Sequence, residues 1–311
     1  MPLALEYDGI SKEYRSWSGR RHVRALQEFS LSVEHGEIFG FLGPNGAGKS
    51  TAIHLAMGFM RPSLGTGRML AKPFGDATTR RRIGFLAENV SLYHRQAVAA
   101  IRFYGGLNGL HGAALERAAR SALEAVDLQS EAHRNLGQFS RGMLQRMGLA
   151  QALVNDPELL ILDEPTSALD PAARVSIREL LLKFRSQGKT IFLSSHLLSE
   201  VELVCDRVAI LNRGRVVSVG TLGAMLETTD QVEILARSIS AELFPNSTVA
   251  GGQTRFAVPK SRQREAIERV WAVGGEVISV NPVRRSLEEL FLELTSPDAS
   301  ATVGATGGRT T

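Results

Sequence analysis

The octapeptide Gly43-Pro44-Asn45-Gly46-Ala47-Gly48-Lys49-Ser50 constrains this chain more than any other feature. It fits the pattern G-x-x-x-x-G-K-[ST], in which glycines let successive backbone N–H groups turn inward and cradle phosphate oxygens. A short apolar run, Glu37–Leu42, stops where the pattern begins. A helix-forming stretch runs on from Lys49 to Met57 and ends at Gly58. Strand, glycine loop and helix in that order aim a helix N-terminus at the bound anion. Lys49 then neutralises the β- and γ-phosphates, the Ser50 hydroxyl holds Mg²⁺ and Thr51 adds a hydroxyl near the α-phosphate.

A second run, Leu159-Leu160-Ile161-Leu162-Asp163-Glu164, reads as a buried parallel strand that ends in two carboxylates. Strand alternation sends the two acids to opposite sides, so they can do two jobs. Asp163 is suited to bind Mg²⁺ through its water shell, and Glu164 to polarise the water that attacks the γ-phosphate. Further strand-like runs at Thr190–Leu193 and Val208–Leu211 alternate with helical stretches at Ala172–Gln187 and Leu197–Val204, the rhythm of βαβ units around a parallel sheet. Residues 3–7 and 23–33 alternate as half-buried antiparallel strands. Residues 90–135, rich in Ala, Leu and Arg, predict inserted helices, and a helical subdomain is expected over about 90–155.

With 311 residues and 43% hydrophobic content, the chain can build one large or two ordinary domains. The pattern resets after Gly220. Strand-like Val232–Leu235, Thr254–Val258 and Val277–Val280 and helical Arg262–Val273 predict a small domain over 221–295. In its last helix Leu287, Leu290, Phe291 and Leu294 form one apolar stripe, expected to dock on the small domain's sheet. Residues 296–311, almost free of large apolar side chains, read as a disordered tail.

No apolar run approaches the roughly 20 residues that span a bilayer, and Met1–Gly9 lacks a signal-peptide pattern. The single cysteine, Cys205, excludes an internal disulfide and fits a reducing compartment, so a cytoplasmic location is expected. A net charge of +4 is too small to demand nucleic acid, and none is expected as a partner. Two basic clusters, Arg20, Arg21, His22 and Arg24, then Arg80, Arg81 and Arg82, are solvated faces or meet lipid headgroups or an acidic partner.

Between the phosphate loop and the acidic strand lies Ser140-Arg141-Gly142-Met143-Leu144-Gln145-Arg146, which resembles the signature of ATP-binding cassette (ABC) ATPases. The family order continues: Ser167-Ala168-Leu169-Asp170 is similar to its D-loop, and His196 to its switch histidine. The resemblance covers about residues 3–220 and implies an α/β P-loop core of ABC ATPase type with an antiparallel β subdomain and a helical subdomain, followed here by a small C-terminal α+β domain. It implies ATP and Mg²⁺ as cofactors and a homodimer or pair of cassette domains, with Ser140 and the Gly142 N–H of one closing on the γ-phosphate held by the other. It makes His196 a γ-phosphate contact that steadies the attacking water, and places Asp170 at the dimer interface. Read alone, Ser140 is a helix N-cap, Asp170 caps the helix that starts at Pro171, and His196 is a structural histidine.

Arg141 stands where the family has glycine and Met143 where it has glutamine, a variant similar to that of ABC-2-type exporters. In Ile83-Gly84-Phe85-Leu86-Ala87-Glu88, Glu88 takes the place of the Q-loop glutamine, so that ligand is charged. Tyr14 matches the adenine-stacking aromatic, with Trp17 as its competitor. The small domain resembles the C-terminal extension of drug- and antibiotic-exporter ATPases. The reading is an ATPase subunit on the inner face of a membrane, driving a separate permease, with export as its direction. Tyr93, Ile101, Phe103 and Tyr104 either receive a permease helix or pack the helical subdomain. The alternatives are a soluble ABC ATPase acting on nucleic acid or ribosomes and a nucleotide-gated regulator of an envelope complex. The stretch between Lys49 and Ser140 has no sustained heptads, unlike the long coiled coil of chromosome and repair ATPases.

Overall fold

A computed structural model describes residues 3–15, 22–92, 95–167, 169–226 and 228–296. Trp17, Arg20, Arg21, Tyr93, Ala168 and the tail beyond Ser296 lie outside the described residues. The described residues fall into two compact units, one reaching to Leu222 and resuming at Phe291, the other spanning Gly223–Leu290.

The first unit opens on the antiparallel pair β1 (Leu3–Arg15) and β2 (His22–Glu34), in which Tyr14 lies opposite Val23. Next, β3 (Ile38–Leu42) passes through the glycine loop into α1 (Lys49–Ala56). With β4 (Leu64–Met69) and β5 (Lys72–Pro73), the first pair becomes a four-stranded antiparallel sheet of order β2-β1-β4-β5. A helical turn α2 (Ala77–Arg80) starts where the Asp76 carboxylate accepts the Thr78 and Thr79 N–H groups, and leads to β6 (Ile83–Leu86).

Three helices, α3 (Ala97–Leu107), α4 (Gly112–Ala125) and α5 (Arg141–Leu153), then pack on one another. The chain returns as β7 (Leu159–Asp163), α6 (Pro171–Ser186), β8 (Thr190–Ser195), α7 (Leu198–Val204), β9 (Arg207–Asn212) and β10 (Arg215–Thr221). These strands complete a six-stranded sheet of order β10-β9-β3-β8-β7-β6. It is parallel throughout except for its edge strand β10.

Every side chain of β3, β7 and β8 is buried, which is why their sequences are unbroken apolar runs and not alternating ones. Phe41 of β3 lies 5.3 Å from the Phe192 ring and 5.8 Å from that of Phe29, so one aromatic cluster joins the parallel and antiparallel sheets. Buried Tyr7 donates to the Ala52 carbonyl of α1 at 3.1 Å, tying the antiparallel sheet to the helix that follows the glycine loop.

A short helix α8 (Leu222–Met225) leads into the second unit. There β11 (Thr228–Arg237), β12 (Thr248–Ala250), β13 (Gln253–Pro259) and β14 (Glu276–Arg284) make an antiparallel sheet of order β12-β13-β11-β14. Helix α9 (Gln263–Ala272) buries Ala266 and Val270 in a core with Ile234, Phe244 and Phe256. The Phe244 and Phe256 rings stack 3.8 Å apart. The sequence predicts that the whole stripe of the last helix, α10 (Leu287–Thr295), docks on this sheet, but only its residues up to Leu290 belong to this unit. From Phe291 it belongs to the first unit, where the Leu294 carbonyl accepts from Asn212 Nδ2 at 3.4 Å.

Candidate functional site

At the C-terminal ends of β3, β7 and β8 a cleft of about 520 Å³ opens above the glycine loop. The loop is shaped by backbone that only glycine tolerates. Gly48 has φ +113°, and a Cβ there would lie 2.4 Å from the Ala25 carbonyl oxygen. A Cβ on Gly43 would meet the Leu211 carbonyl oxygen at 2.5 Å. β2 and the end of β9 thus close on the loop from outside.

Buried Lys49 folds back over this loop and donates from Nζ to the Gly43 carbonyl at 2.7 Å. Burial holds its pKa below the ordinary lysine value, against the pull of the Glu164, Asp163 and Glu88 carboxylates. The ammonium is therefore short of solvent and close to anions, and a phosphate would restore what burial removed.

The two acids after β7 are fixed by β8. Ser194 Oγ donates to Asp163 Oδ1 at 2.5 Å and accepts the Glu164 N–H at 3.2 Å. The same N–H reaches the Ser194 carbonyl at 3.2 Å. Glu164 itself has φ +52°, a left-handed conformation uncommon for a residue with a side chain, and its carboxylate is buried. Its Oε2 lies 2.7 Å from His196 Nδ1 and accepts the His196 N–H at 3.3 Å. A left-handed turn at the strand end thus swings the second carboxylate out to a half-exposed imidazole.

Tyr14, Gly43, Pro44, Asn45, Gly46, Gly48, Lys49, Ser50, Thr51, Glu88, Asp163, Glu164 and His196 all line this cleft. Ala47 is buried inside the loop and does not line it. Tyr14 keeps its ring accessible while its hydroxyl approaches Thr51 Oγ1 at 3.4 Å and Met60 Sδ at 3.2 Å. Ser140, Gly142 and Asp170 do not line the cleft. Ser140 caps α5, accepting the Met143 N–H at 3.2 Å, and Asp170 caps α6, accepting the Ala173 N–H at 2.7 Å. Val23, Arg24, Ala25 and Phe291 line the cleft although the motifs do not include them. Val23 lies opposite Tyr14 and Arg24 opposite Glu13 in the β1–β2 register, with Ala25 next along β2; no local signal marks Phe291.

A parallel sheet that turns through a phosphate-cradling loop, with paired acids at the end of the neighbouring parallel run, defines a P-loop nucleotide-binding protein. The ABC transporter family model matches residues 26–167. An ABC transporter ATP-binding protein of Synechocystis, sll0415, is 38% identical over 91% of this chain and 82% of its own. The Nod factor export ATP-binding protein I of Sinorhizobium fredii is 34% identical over 94% of this chain and 86% of its own. The dimeric post-hydrolysis state of the ATP-binding cassette MJ0796, bound to ADP and Pi, superposes with TM-score 0.63 at 26% identity over 70% of this chain and 98% of that one. The chain belongs to the ABC transporter ATP-binding proteins: it has the ABC cassette fold, binds ATP and is an ATPase of that family.

Proposed function

We propose that the chain hydrolyses Mg²⁺-ATP in composite sites formed by two cassettes and so drives export through a separate membrane permease. The observation that carries the composite site is the position of Ser140 and Gly142. Both stand at the start of α5, outside the cleft that gathers the phosphate loop and both acids. With Ser140 exposed and a helix N-terminus behind it, this pair is suited to close on a γ-phosphate held by a second copy.

Within each cleft the N–H groups of Gly46 and Gly48 and the Lys49 ammonium hold the β- and γ-phosphates, and Thr51 lies nearer the α-phosphate. Mg²⁺ takes one or two protein donors beside phosphate and water oxygens. Ser50 and Asp163 fit that donor set, and among the described residues no cluster of three or more acidic, His or Cys side chains offers an all-protein site. The ion would neutralise charge developing on the bridging phosphate oxygens. Glu164 accepts a proton from the attacking water, and His196 holds its carboxylate in place and steadies the γ-phosphate. Tyr14 stacks on adenine, Glu88 puts a charged carboxylate where the family has an amide, and Asp170 aligns the partner's site while capping α6.

The cassette is assigned to residues 1–220 and an accessory domain to 221–295. No helix among the described residues is long and apolar enough to cross a membrane, so transport needs a membrane-spanning partner. A position on the inner face of the membrane follows, and the likeness to Nod factor export proteins favours export. Complementation tests the reading. Lys49→Ala and Ser140→Arg copies, each inactive alone, recover ATPase activity when mixed if sites are composite, and stay inactive if each chain works by itself.

A further inference from the structure

The cleft has one wall that comes from the far end of the chain. Phe291, in the helix α10, lines it together with Tyr14, Val23 and Ala25, and belongs to the same compact unit as the glycine loop. Its place in the fold can be traced through backbone contacts. One turn further along α10, the Leu294 carbonyl accepts from Asn212 at the end of β9. The turn after Asn212 carries Gly214, whose N–H donates to the Ala47 carbonyl at 2.9 Å and whose carbonyl accepts the Gln27 N–H at 2.9 Å. A Cβ on Gly214 would lie 2.7 Å from the Ala25 carbonyl oxygen. The part of α10 from Phe291 onward is therefore anchored where β9 turns against β2 and the glycine loop.

The sheet order fixes which end of the cleft that is. β9 lies on one side of β3, while β8, β7 and β6, which carry His196, the two acids and Glu88 at or just beyond their ends, lie on the other. A triphosphate stretched from the glycine loop towards Asp163 and Glu164 leaves the nucleoside on the opposite side. There stand the Tyr14 ring, Val23 opposite it in register, Ala25 and Phe291. Phe291 is half-buried, leaving part of its surface accessible. An aromatic side chain without hydrogen-bonding groups suits a purine face or edge and offers nothing to phosphate.

We propose that Phe291 is a second aromatic contact for the base, so that α10 completes the nucleoside end of the site. This rests on the nucleotide reading of the cleft. The contact binds the base and not the phosphates, and it comes from a helix that the ATPase motifs do not include.

The test uses the full chain and isothermal titration with ATP, ADP and inorganic tripolyphosphate. Phe291→Ala weakens ATP and ADP by about tenfold each, the scale of one base–aromatic contact, and leaves tripolyphosphate binding unchanged. Phe291→Trp retains ATP binding within about twofold. Wild-type affinity for ATP in Phe291→Ala overturns the inference. So does a parallel loss of ATP and tripolyphosphate, which would mark damage to the loop and not a lost base contact. If the wild-type chain binds none of the three ligands, the nucleotide reading itself fails, a result distinct from both.

Discussion

Replacing Ser194 by alanine isolates the hydroxyl that holds the acidic end of the cleft. Ser194 is fully buried and its Oγ donates to Asp163 Oδ1 at 2.5 Å, with Asp163 itself only 7% exposed. The Glu164 N–H, which also reaches this oxygen, keeps the Ser194 carbonyl at 3.2 Å and is not orphaned. The loss therefore falls on one hydrogen bond to a buried carboxylate, about 2 kcal/mol. That is roughly a thirtyfold drop in the folded-to-unfolded ratio, and a fall of about 4–8 °C in melting temperature for a unit of this size. Asp163 also loses the group that orients it, so the Mg²⁺ concentration for half-maximal ATPase activity rises about tenfold or more, as for other partners of metal-binding carboxylates. Urea unfolding and an ATPase assay across Mg²⁺ concentrations read the two effects. Unchanged stability together with an unchanged Mg²⁺ requirement would refute the assignment of Ser194 as the support of Asp163.

Two further outcomes follow from the loop. Gly48→Ala must adopt φ +113° with its methyl 2.4 Å from the Ala25 carbonyl oxygen, so it costs about 3 kcal/mol and abolishes ATP binding, measured by thermal melting and titration. Lys49 has a native pKa below the ordinary 10.5, because burial disfavours its charge. The native chain sheds that proton before the unfolded chain does, so the unfolded state binds more protons just below 10.5 and stability rises with pH there. The urea midpoint of the wild type should accordingly gain on that of Lys49→Met as the pH rises towards 10.5, and a constant difference would contradict the buried ammonium.

What the sequence makes legible is local. The glycine loop could be placed between β3 and α1 because its glycines, Lys49 and Ser50 fall within eight consecutive residues between an apolar run and a helix-forming stretch. β7 and β8 are readable because strands buried on both faces need unbroken apolar runs. β6 is four residues long and contains Gly84, which weakens any strand pattern; a Cβ there would lie 2.3 Å from the Ala152 carbonyl oxygen of α5, a constraint visible only in the fold. β4, Leu-Gly-Thr-Gly-Arg-Met, is glycine or polar at four of its six residues, and takes its place by pairing with β1. The Ser194 support of Asp163 joins residues from two different strands, so no single motif contains it. Phe291 is the extreme case: the periodicity of α10 shows an apolar stripe and cannot show that its residues from Phe291 onward belong to the first unit.

The composite site is tested most directly by mixing. Lys49→Ala and Ser140→Arg chains are combined over a range of ratios at constant total concentration, and ATPase activity is followed. Random pairing at equal amounts makes half of the dimers mixed, each with one intact loop facing one intact signature, so activity should peak there at roughly a quarter of the wild-type value. A flat line at the background of the two variants would contradict the claim that hydrolysis takes place between two copies of this chain.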